Sequence, residues 1–438
     1  MFEILIWAAL GIVAAGMLYA YDGSRDVFHP LMFMGPMFGF IYGWMPLKLN
    51  SGHALESFFQ SGQLVFVQTL NVIGILCFVI GCLSVGCRIP ESERRESPLS
   101  WDGARVLVNG GVVLGTIGVV AWAISIANVG GFYNAFSKPY SGGWDDNGYI
   151  RDASMLMFPA FILIATAGLR FGVRPFHMVC LVTFITPWIV QAFFTARRGP
   201  TTIIAIVVAM SYYLNRHRRP PMLVTGAAGL ALGSLLLFLV TNRGRLYLGS
   251  DFDVTTDVSD MVEKPDAGNE YIYGAGALLS AEQRQNFYWG RRYFAQVLVR
   301  PIPSAIWPTK YIDVGLPELG FNAGTGEGFA ETLGWEGANG SAPGLISDLW
   351  LEFRWLALPL LWVFGRTYGY VWRRAVTDGG AWIAQYVVLS ALSIYFVMQT
   401  MEAVIFRFLI LSIPIWSIWA RAGSKPIPAH RFQRVPQF

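Results

Sequence analysis

Charged residues are scarce in this chain. Asp, Glu, Lys and Arg make up 14% of its 438 residues, while 54% are hydrophobic; a soluble domain carries about a quarter charged residues. The apolar residues come in blocks of about 20, long enough to cross roughly 30 Å of hydrocarbon as a helix. The blocks are continuous rather than alternating, which excludes a membrane-spanning barrel. The composition therefore excludes a soluble protein and predicts an all-α integral membrane protein.

Cysteine is also rare. The four cysteines lie in or beside apolar blocks, without the spacing of a zinc site, so we expect buried apolar side chains rather than disulfides or metal ligands. The net charge of +4 is small and gives no indication of a nucleic-acid partner. The adjacent carboxylates Asp145 and Asp146 could hold a divalent cation, although a solvated acidic turn is the favoured interpretation. We expect no metal and no cofactor.

Hydropathy predicts about 11 membrane spans in a window of ~19 residues. They lie near 3–20, 29–46, 63–87, 105–127, 153–169, 177–195, 200–214, 222–242, 344–368, 380–398 and 402–420. The chain thus divides into a first set of spans (1–242), one large extracytoplasmic loop (243–343), and the final spans with a tail (344–438). A long loop on a helical scaffold is a typical place for binding or chemistry.

Basic residues between the spans give the orientation. If the spans alternate in direction, the pairs Arg94 with Arg95, Arg170 with Arg174, and the basic tail fall on one face. The positive-inside rule makes that face cytoplasmic. We therefore expect the N-terminus and the large loop outside, and the C-terminus inside.

Several arginines break this rule, because they lie at the predicted outer ends of spans. The tight turn TARRGPT carries Arg197 and Arg198, and TNRGRLYLG carries Arg243 and Arg245. Snorkelling to headgroups explains single arginines better than four on neighbouring spans. Since the arginine fork matches phosphate, the pattern predicts an anion site at the outer membrane–water boundary, suited to a lipid pyrophosphate. The large loop adds Arg284, Arg291, Arg292 and Arg300.

Three acidic residues are candidate general bases for an acceptor hydroxyl. Asp348 and Glu352 are four residues apart at the start of the ninth span, so they share one helix face. Glu327 lies in the glycine-rich run that precedes it. Ionisable residues within spans are usually paired, so a structural ion pair remains an equally good interpretation of the carboxylates.

Aromatic residues are frequent in the large loop. Their flat faces could stack on sugars, or they could form a belt at the membrane interface. The candidates for glycan contact include Trp289, Tyr293, Trp307 and Trp335.

The segment RPIPSAIWPTKYIDVGLPELGF resembles a signature of the Wzy-type oligosaccharide repeat-unit polymerases, the O-antigen and exopolysaccharide polymerases. In that family a proline-rich string is followed by a glycine-rich stretch and an acidic–aromatic helix start, here GSAPGLISDLWLEF. The Arg198–Gly199 turn also looks like the family's arginine motif at an outer helix end. The similarity covers the topology loosely and residues 196–370 more specifically. The residues of the proline-rich string are Pro301, Pro303, Trp307, Pro308 and Lys310.

The resemblance implies a lipid-linked glycosyltransferase fold of the GT-C-like class, in the bacterial inner membrane, with its active site on the periplasmic side. It implies transfer of a growing glycan en bloc from undecaprenyl pyrophosphate to the non-reducing end of a new undecaprenyl-pyrophosphate-linked unit, without a metal. The arginines named above would bind the pyrophosphates. Membrane lipid, a chain-length regulator and a flippase would be partners.

Two alternatives stay open. An O-antigen ligase would be expected to carry a histidine in the large loop, and residues 243–343 contain none. A lipid-linked oligosaccharide transporter would place charges at the bilayer midplane and often has repeated halves. This chain instead concentrates its unusual charges at the predicted outer end.

Overall fold

The computed structural model describes residues 1–89, 99–138, 148–242, 244–255, 270–315, 343–398 and 400–423. Within these ranges the regular elements are all helices, so the predicted all-α class is confirmed there. Seven helices are long and apolar enough to cross a membrane, which is consistent with an integral membrane protein. They are Phe2–Ser24, Ser61–Leu83, Trp101–Asn128, Gly148–Phe171, Pro175–Phe194, Met222–Leu239 and Val404–Gly423.

The first part of the chain forms long helices with defined starts. Pro30 occupies the first turn of the second helix, where its missing N–H costs nothing, and His29 Nδ1 accepts a hydrogen bond from the N–H of Leu31 at 3.3 Å. This helix continues through a π-helical turn, Phe40–Trp44. The helices are α1 (Phe2–Ser24), α2 (Pro30–Gly39), α3 (Met45–Ser51) and α4 (Ser61–Leu83).

The middle of the chain adds a second group of helices. Ser100 begins the first of them, since its Oγ accepts a hydrogen bond from the N–H of Gly103 at 2.9 Å. The helices are α5 (Trp101–Asn128), α6 (Phe132–Phe136), α7 (Gly148–Ser154), α8 (Met157–Phe171), α9 (Pro175–Phe194), α10 (Arg198–Asn215) and α11 (Met222–Thr241).

The last part of the chain contains shorter helices as well as long ones. One of the short helices, Arg291–Phe294, continues into a π-helical turn, Ala295–Val299. The helices are α12 (Glu270–Arg284), α13 (Arg291–Phe294), α14 (Lys310–Asp313), α15 (Gly344–Phe353), α16 (Ala357–Thr377), α17 (Ala381–Ala391), α18 (Ser393–Met398) and α19 (Met401–Gly423).

The helices pack as two groups joined by α17. In the first group α4 contacts α1 and α16, and in the second α5 contacts α8 and α19, while α17 contacts α10 and α16. Glycines allow the closest approach: a β carbon on Gly365 of α16 would overlap the carbonyl oxygen of Phe78, and one on Gly369 would lie 2.6 Å from that of Cys82. Small residues at such positions are typical of helix contacts in membranes.

The predicted ninth span, 344–368, is not one helix. The chain turns at Arg354, where φ is +49°, an uncommon value for a residue with a β carbon. A short 3-10 turn then leads into α16. Residues Gly344–Glu352 are all buried, so protein surrounds α15 on every side. The predicted tenth span likewise divides into α17 and α18, and the expected count of eleven spans stays a prediction.

Helix α12 lies in the segment predicted as the large loop, yet it is inside the bundle. Its residues Glu270–Ala281 are buried, and it packs against α4 and α15. The Tyr271 hydroxyl donates a hydrogen bond to Gln68 Oε1 of α4 at 3.1 Å. Part of the predicted loop is therefore integral to the helical core.

Candidate functional site

A buried ionic cluster joins α15 to the start of α13. Arg292 Nη2 lies 2.6 Å from Asp348 Oδ1, and Arg292 Nε donates to Glu352 Oε1. The three side chains are 1% exposed or less. The helical spacing of the two carboxylates places both on one guanidinium, so the geometry expected from the sequence is present.

Further hydrogen bonds complete this cluster. Asp348 Oδ2 accepts from the Tyr293 hydroxyl at 3.1 Å and from the N–H of Met401 at 2.8 Å. Glu352 Oε2 accepts from the N–H of Gly290 at 2.7 Å. Buried carboxylates need such partners, because a carboxylate loses its hydrogen bonds with water when it is buried. The cluster therefore ties α15, α13 and the start of α19 together.

The backbone beside the cluster is strained. Trp289 has φ +52° and Gly290 has φ +82°, and the left-handed conformation is costly for a tryptophan. The N–H groups of Tyr288 and Trp289 donate to the carbonyl oxygens of Leu351 and Glu352, at 3.0 and 2.7 Å. The hydrogen bonds to α15 hold this turn in place.

This arrangement bears on the roles predicted for the same residues. Asp348 and Glu352 are candidate bases, and Arg292 is a candidate pyrophosphate ligand, but here the three side chains pair with one another in the protein interior. A base must reach the proton that it removes. In the observed arrangement the cluster acts as a clamp, and the catalytic roles stay predictions.

A second site lies where α10 begins, at the predicted outer end of the bundle. Tyr395 packs against this helix start so closely that a β carbon on Gly199 would lie 2.6 Å from its hydroxyl oxygen. The Arg407 guanidinium lies over the Tyr395 ring, 4.6 Å from its centre. Arg407 and Arg197 both act electrostatically on the Tyr395 hydroxyl. We call Arg197, Arg198, Tyr395 and Arg407 the tyrosine–arginine site.

Arg198 brings α12 into this site. Its Nη2 lies 2.9 Å from Glu270 Oε1, the glutamate being buried and the arginine 29% exposed. The start of α10 adds the partial positive charge of a helix N-terminus. The side chains of Arg197 and Arg407 are half-buried. The site brings three arginines and one carboxylate to a helix N-terminus, an arrangement that suits an anion.

The other predicted arginines lie apart from these two clusters. Arg245 is exposed, and its Nη1 donates to the carbonyl oxygen of Asp253 at 3.3 Å. Arg291 is exposed beside the buried Arg292. Arg300 pairs with Asp152, with Nη2 and Oδ2 2.5 Å apart. The structure therefore does not gather all the predicted arginines at one place.

The predicted aromatic contacts differ in exposure. Trp289 is 58% exposed, whereas Tyr293 is held by Asp348. Trp307 Nε1 donates to Asp313 Oδ2 at 2.5 Å. This bond, with one from Thr309, holds the pKa of the Asp313 carboxyl below its usual value.

Some predicted residues lie outside the described residues. They are Arg243, Glu327, Trp335 and the pair Asp145 and Asp146. Among the residues that the structure describes, no group of three or more His, Cys, Asp or Glu side chains is placed to hold a metal ion.

Lys310, from the proline-rich string, has a buried side chain whose ammonium group binds a hydroxyl and backbone carbonyl oxygens. Its Nζ donates to the Tyr149 hydroxyl at 2.9 Å and to the carbonyl oxygens of Arg300 and Ile302, at 3.0 and 2.5 Å. These carbonyls follow the π-helical turn. Lys310 therefore closes the end of that turn against α7.

Several residues in or beside these two sites are not apparent from the sequence. Glu282 accepts hydrogen bonds from Trp350 Nε1 at 3.1 Å and from Arg354 Nε at 3.3 Å. No pattern in the neighbouring sequence marks Glu270 or Tyr395 as a site residue, since each is identified only by its contact with a residue far along the chain. Gly199 lies in the turn that resembles the family's arginine motif, but the sequence does not indicate its close contact with Tyr395.

Comparison of the chain with protein-family models, with curated proteins and with solved structures found no match.

Proposed function

We propose that this protein is a glycosyltransferase that polymerises lipid-linked oligosaccharide repeat units. The growing glycan passes from its undecaprenyl pyrophosphate to the non-reducing end of a new lipid-linked unit. The tyrosine–arginine site is the observation that carries the proposal, since it places cationic groups around the start of α10. The resemblance of residues 196–370 to the Wzy-type polymerases supports the same reaction.

The site suits a pyrophosphate leaving group. When the bond between sugar and pyrophosphate breaks, negative charge develops on the pyrophosphate. Arg197 and Arg407 supply fixed positive charge, and the first N–H groups of α10 supply donors that no helical carbonyl uses. Such preorganised groups lower the barrier because they need no reorganisation during the reaction.

The arrangement favours a reaction at the membrane surface. The seven apolar helices provide the scaffold, and the site lies where α9 ends and α10 begins. A substrate anchored in the bilayer by its tail can present its pyrophosphate at this depth. By the positive-inside rule this is the extracytoplasmic face, and the family resemblance makes it the periplasmic face of a bacterial inner membrane. The expected partners are membrane lipid, a flippase and a chain-length regulator.

Asp348 and Glu352 stay predicted candidate bases, and each would have to leave its contact with Arg292 to reach an acceptor hydroxyl. Glu327, in the glycine-rich run, remains the other predicted candidate from the sequence. A GT-C-like class and independence of metal belong to this proposal through the family resemblance.

The test uses purified protein in nanodiscs with synthetic undecaprenyl-pyrophosphate repeat units. The wild type should produce a ladder of products on a gel, and EDTA should not reduce it. Arg197→Gln and Arg407→Gln should each lower the rate by about a hundredfold, as loss of one oxyanion donor does. Arg105→Gln is the matched control, since Arg105 is 78% exposed at the start of α5.

Three results would contradict the proposal. If both variants produced the ladder at the wild-type rate, Arg197 and Arg407 would have no role in the mechanism. A single transfer of finished glycan to lipid A core would identify a ligase. Movement of the lipid-linked unit across the bilayer without any transfer would identify a transporter.

A further inference from the structure

Tyr395 places its hydroxyl group against the first turn of α10. A β carbon on Gly199 would lie 2.6 Å from the Tyr395 hydroxyl oxygen, and 2.8 and 3.0 Å from Cε1 and Cζ of the ring. Only glycine leaves room for this contact, since a β carbon at that position would overlap the phenol. The missing side chain at position 199 therefore brings the hydroxyl to the end of the helix.

The start of α10 presents backbone N–H groups beside this hydroxyl. No side chain caps the helix at Arg197, and Pro200, its third residue, has no N–H. The N–H groups of Arg198 and Gly199 have no acceptor within the helix. This end of an 18-residue helix also carries partial positive charge. The hydroxyl and the backbone thus bring neutral donors to one place.

The proton of the Tyr395 hydroxyl has no acceptor among the residues that the structure describes. The charged groups that act on this hydroxyl are those of Arg407 and Arg197, and an arginine side chain is a donor only. The carboxylate described at the site, Glu270, is bound to Arg198. The phenol is therefore a donor for an oxygen of a ligand.

The surroundings of the hydroxyl favour an anionic oxygen over a neutral one. Arg407 lies over the Tyr395 ring, 4.6 Å from its centre, and the helix N-terminus adds to the positive potential. A hydrogen bond to a charged acceptor is about twice as strong as one between neutral groups. Gly199 and Arg407 contact the ring from two directions, so the donor needs little reorganisation to serve such an oxygen.

We infer that Tyr395 is a catalytic residue of the proposed transfer, whose hydroxyl donates a hydrogen bond to an oxygen of the departing pyrophosphate. The inference rests on the proposed function, because it names a side chain that contacts its leaving group. In the transfer, the bond between the anomeric carbon and the pyrophosphate breaks, and its electron pair stays on the pyrophosphate oxygen. The acceptor hydroxyl oxygen bonds to that carbon and gives its proton to a carboxylate base. Tyr395 keeps its own proton throughout.

The first experiment removes the hydroxyl alone. Tyr395→Phe leaves the ring between Gly199 and Arg407, and in nanodiscs with the lipid-linked substrate it should lower kcat by about a hundredfold. The KM for the lipid-linked donor should change little, because the hydrogen bond strengthens only as charge develops on the leaving group.

Tyr212→Phe is the matched control. Tyr212 lies at the opposite end of α10 and also carries an arginine over its ring, since the Arg216 guanidinium is 4.8 Å from the ring centre. This variant should keep the wild-type kcat. Equal values of kcat for Tyr395→Phe and Tyr212→Phe would overturn the inference.

The second experiment measures binding, without sugar transfer. Tyr395→Phe should lower the affinity of the full-length protein for undecaprenyl pyrophosphate by about tenfold, as loss of a hydrogen bond to a charged group does. Its affinity for undecaprenol, which has the same tail without phosphate, should equal that of the wild type. Equal losses for both lipids would overturn the inference, because the variant would then act on the tail rather than on the pyrophosphate.

A label on the intact phenol guards against a variant that fails to fold. A fluorotyrosine at position 395 keeps the hydroxyl and reports on its surroundings by fluorine NMR. Its resonance should shift when undecaprenyl pyrophosphate binds and stay in place with undecaprenol. A resonance that does not respond to the pyrophosphate would overturn the inference.

The two proposals can fail separately. A wild-type ladder, with unchanged kcat and affinity in Tyr395→Phe, would overturn the role of the hydroxyl and leave the polymerase standing. If the wild type forms no ladder but loses affinity for undecaprenyl pyrophosphate with the hydroxyl, the polymerase is overturned and the contact between Tyr395 and pyrophosphate stands.

Discussion

Arg292 Nη2 and Asp348 Oδ1 lie 2.6 Å apart in the interior of the protein, joined across 56 residues of sequence. Glu352 contacts the same guanidinium. The cluster carries two carboxylates on one arginine, and the hydrogen bonds from Tyr293, Gly290 and the Met401 N–H stabilise the excess negative charge. Its members depend on each other, because removal of one leaves the others charged and buried.

Removal of Arg292 should therefore destabilise the fold. Arg292→Leu should lower the free energy of unfolding by about 3–5 kcal/mol, since two buried carboxylates lose their counter-ion. Thermal unfolding in detergent measures this. Arg291→Ala, which changes the exposed neighbour, should alter it by no more than about 0.5 kcal/mol. An Arg292 variant that is as stable as Arg291→Ala but inactive would instead favour a catalytic role.

The close contact between Gly199 and Tyr395 should be required for activity. Gly199→Ala puts a methyl group 2.6 Å from the present position of the Tyr395 hydroxyl oxygen, so the ring must move away from α10. We expect a loss of at least about tenfold in polymerase rate, as displaced positioning groups produce. Gly62→Ala is the control, because Gly62 is likewise the second residue of its helix and has open space around it. Equal rates for the two variants would argue against the site.

The contact between α4 and α16 should be sensitive to a single methyl group. Gly365→Ala would push its β carbon into the carbonyl of Phe78, and rigid backbone cannot yield. We expect a loss of roughly 1–3 kcal/mol in unfolding free energy, as overpacking costs. Gly11→Ala in α1, where nothing lies within 4 Å, should be neutral or slightly stabilising. Similar unfolding temperatures for the Gly365 and Gly11 variants would show that α4 and α16 can move apart without a loss of stability.

Lys310 should hold the segment after the π-helical turn. Lys310→Met keeps much of the side-chain volume but removes a donor shared by several carbonyl oxygens, and the one proton of the Tyr149 hydroxyl can serve only one of them. A buried carbonyl left without a donor costs about 1–3 kcal/mol. Limited proteolysis should then cut between residues 300 and 315 faster than in the wild type. Lys48→Met, at an exposed lysine of α3, should leave the cleavage pattern unchanged. Protection in the Lys310 variant would mean that the segment has other support.

The membrane character and the long helices follow from the sequence, because apolar blocks of sufficient length can satisfy their backbone only as helices. The pairing of Asp348 and Glu352 on one face was also predictable, since it depends on helical spacing alone. Their partner was not. Arg292 lies 60 residues from Glu352, and only the packing of the segment against α15 brings them together.

The break at Arg354 had no local signal either. Neither glycine nor proline occupies the position. The arginine there adopts φ +49°, and its side chain pairs with Glu282, 72 residues earlier in the sequence. The tyrosine–arginine site was predictable in part. The pair Arg197 and Arg198 stood out as charges in an unexpected place, but Tyr395 and Arg407 joined them through tertiary packing.

The position of α12 sets an order for the assembly of the chain during biosynthesis. One of its neighbours, α4, precedes it by about 200 residues, since Tyr271 reaches Gln68 across 203 positions, while α15 is synthesised after it. A nascent chain that ends before Gly344 lacks α15, which is one of the two helices against which α12 packs. Helix α12 can therefore complete its packing only after α15 has been synthesised, and its docking is a non-local step of folding.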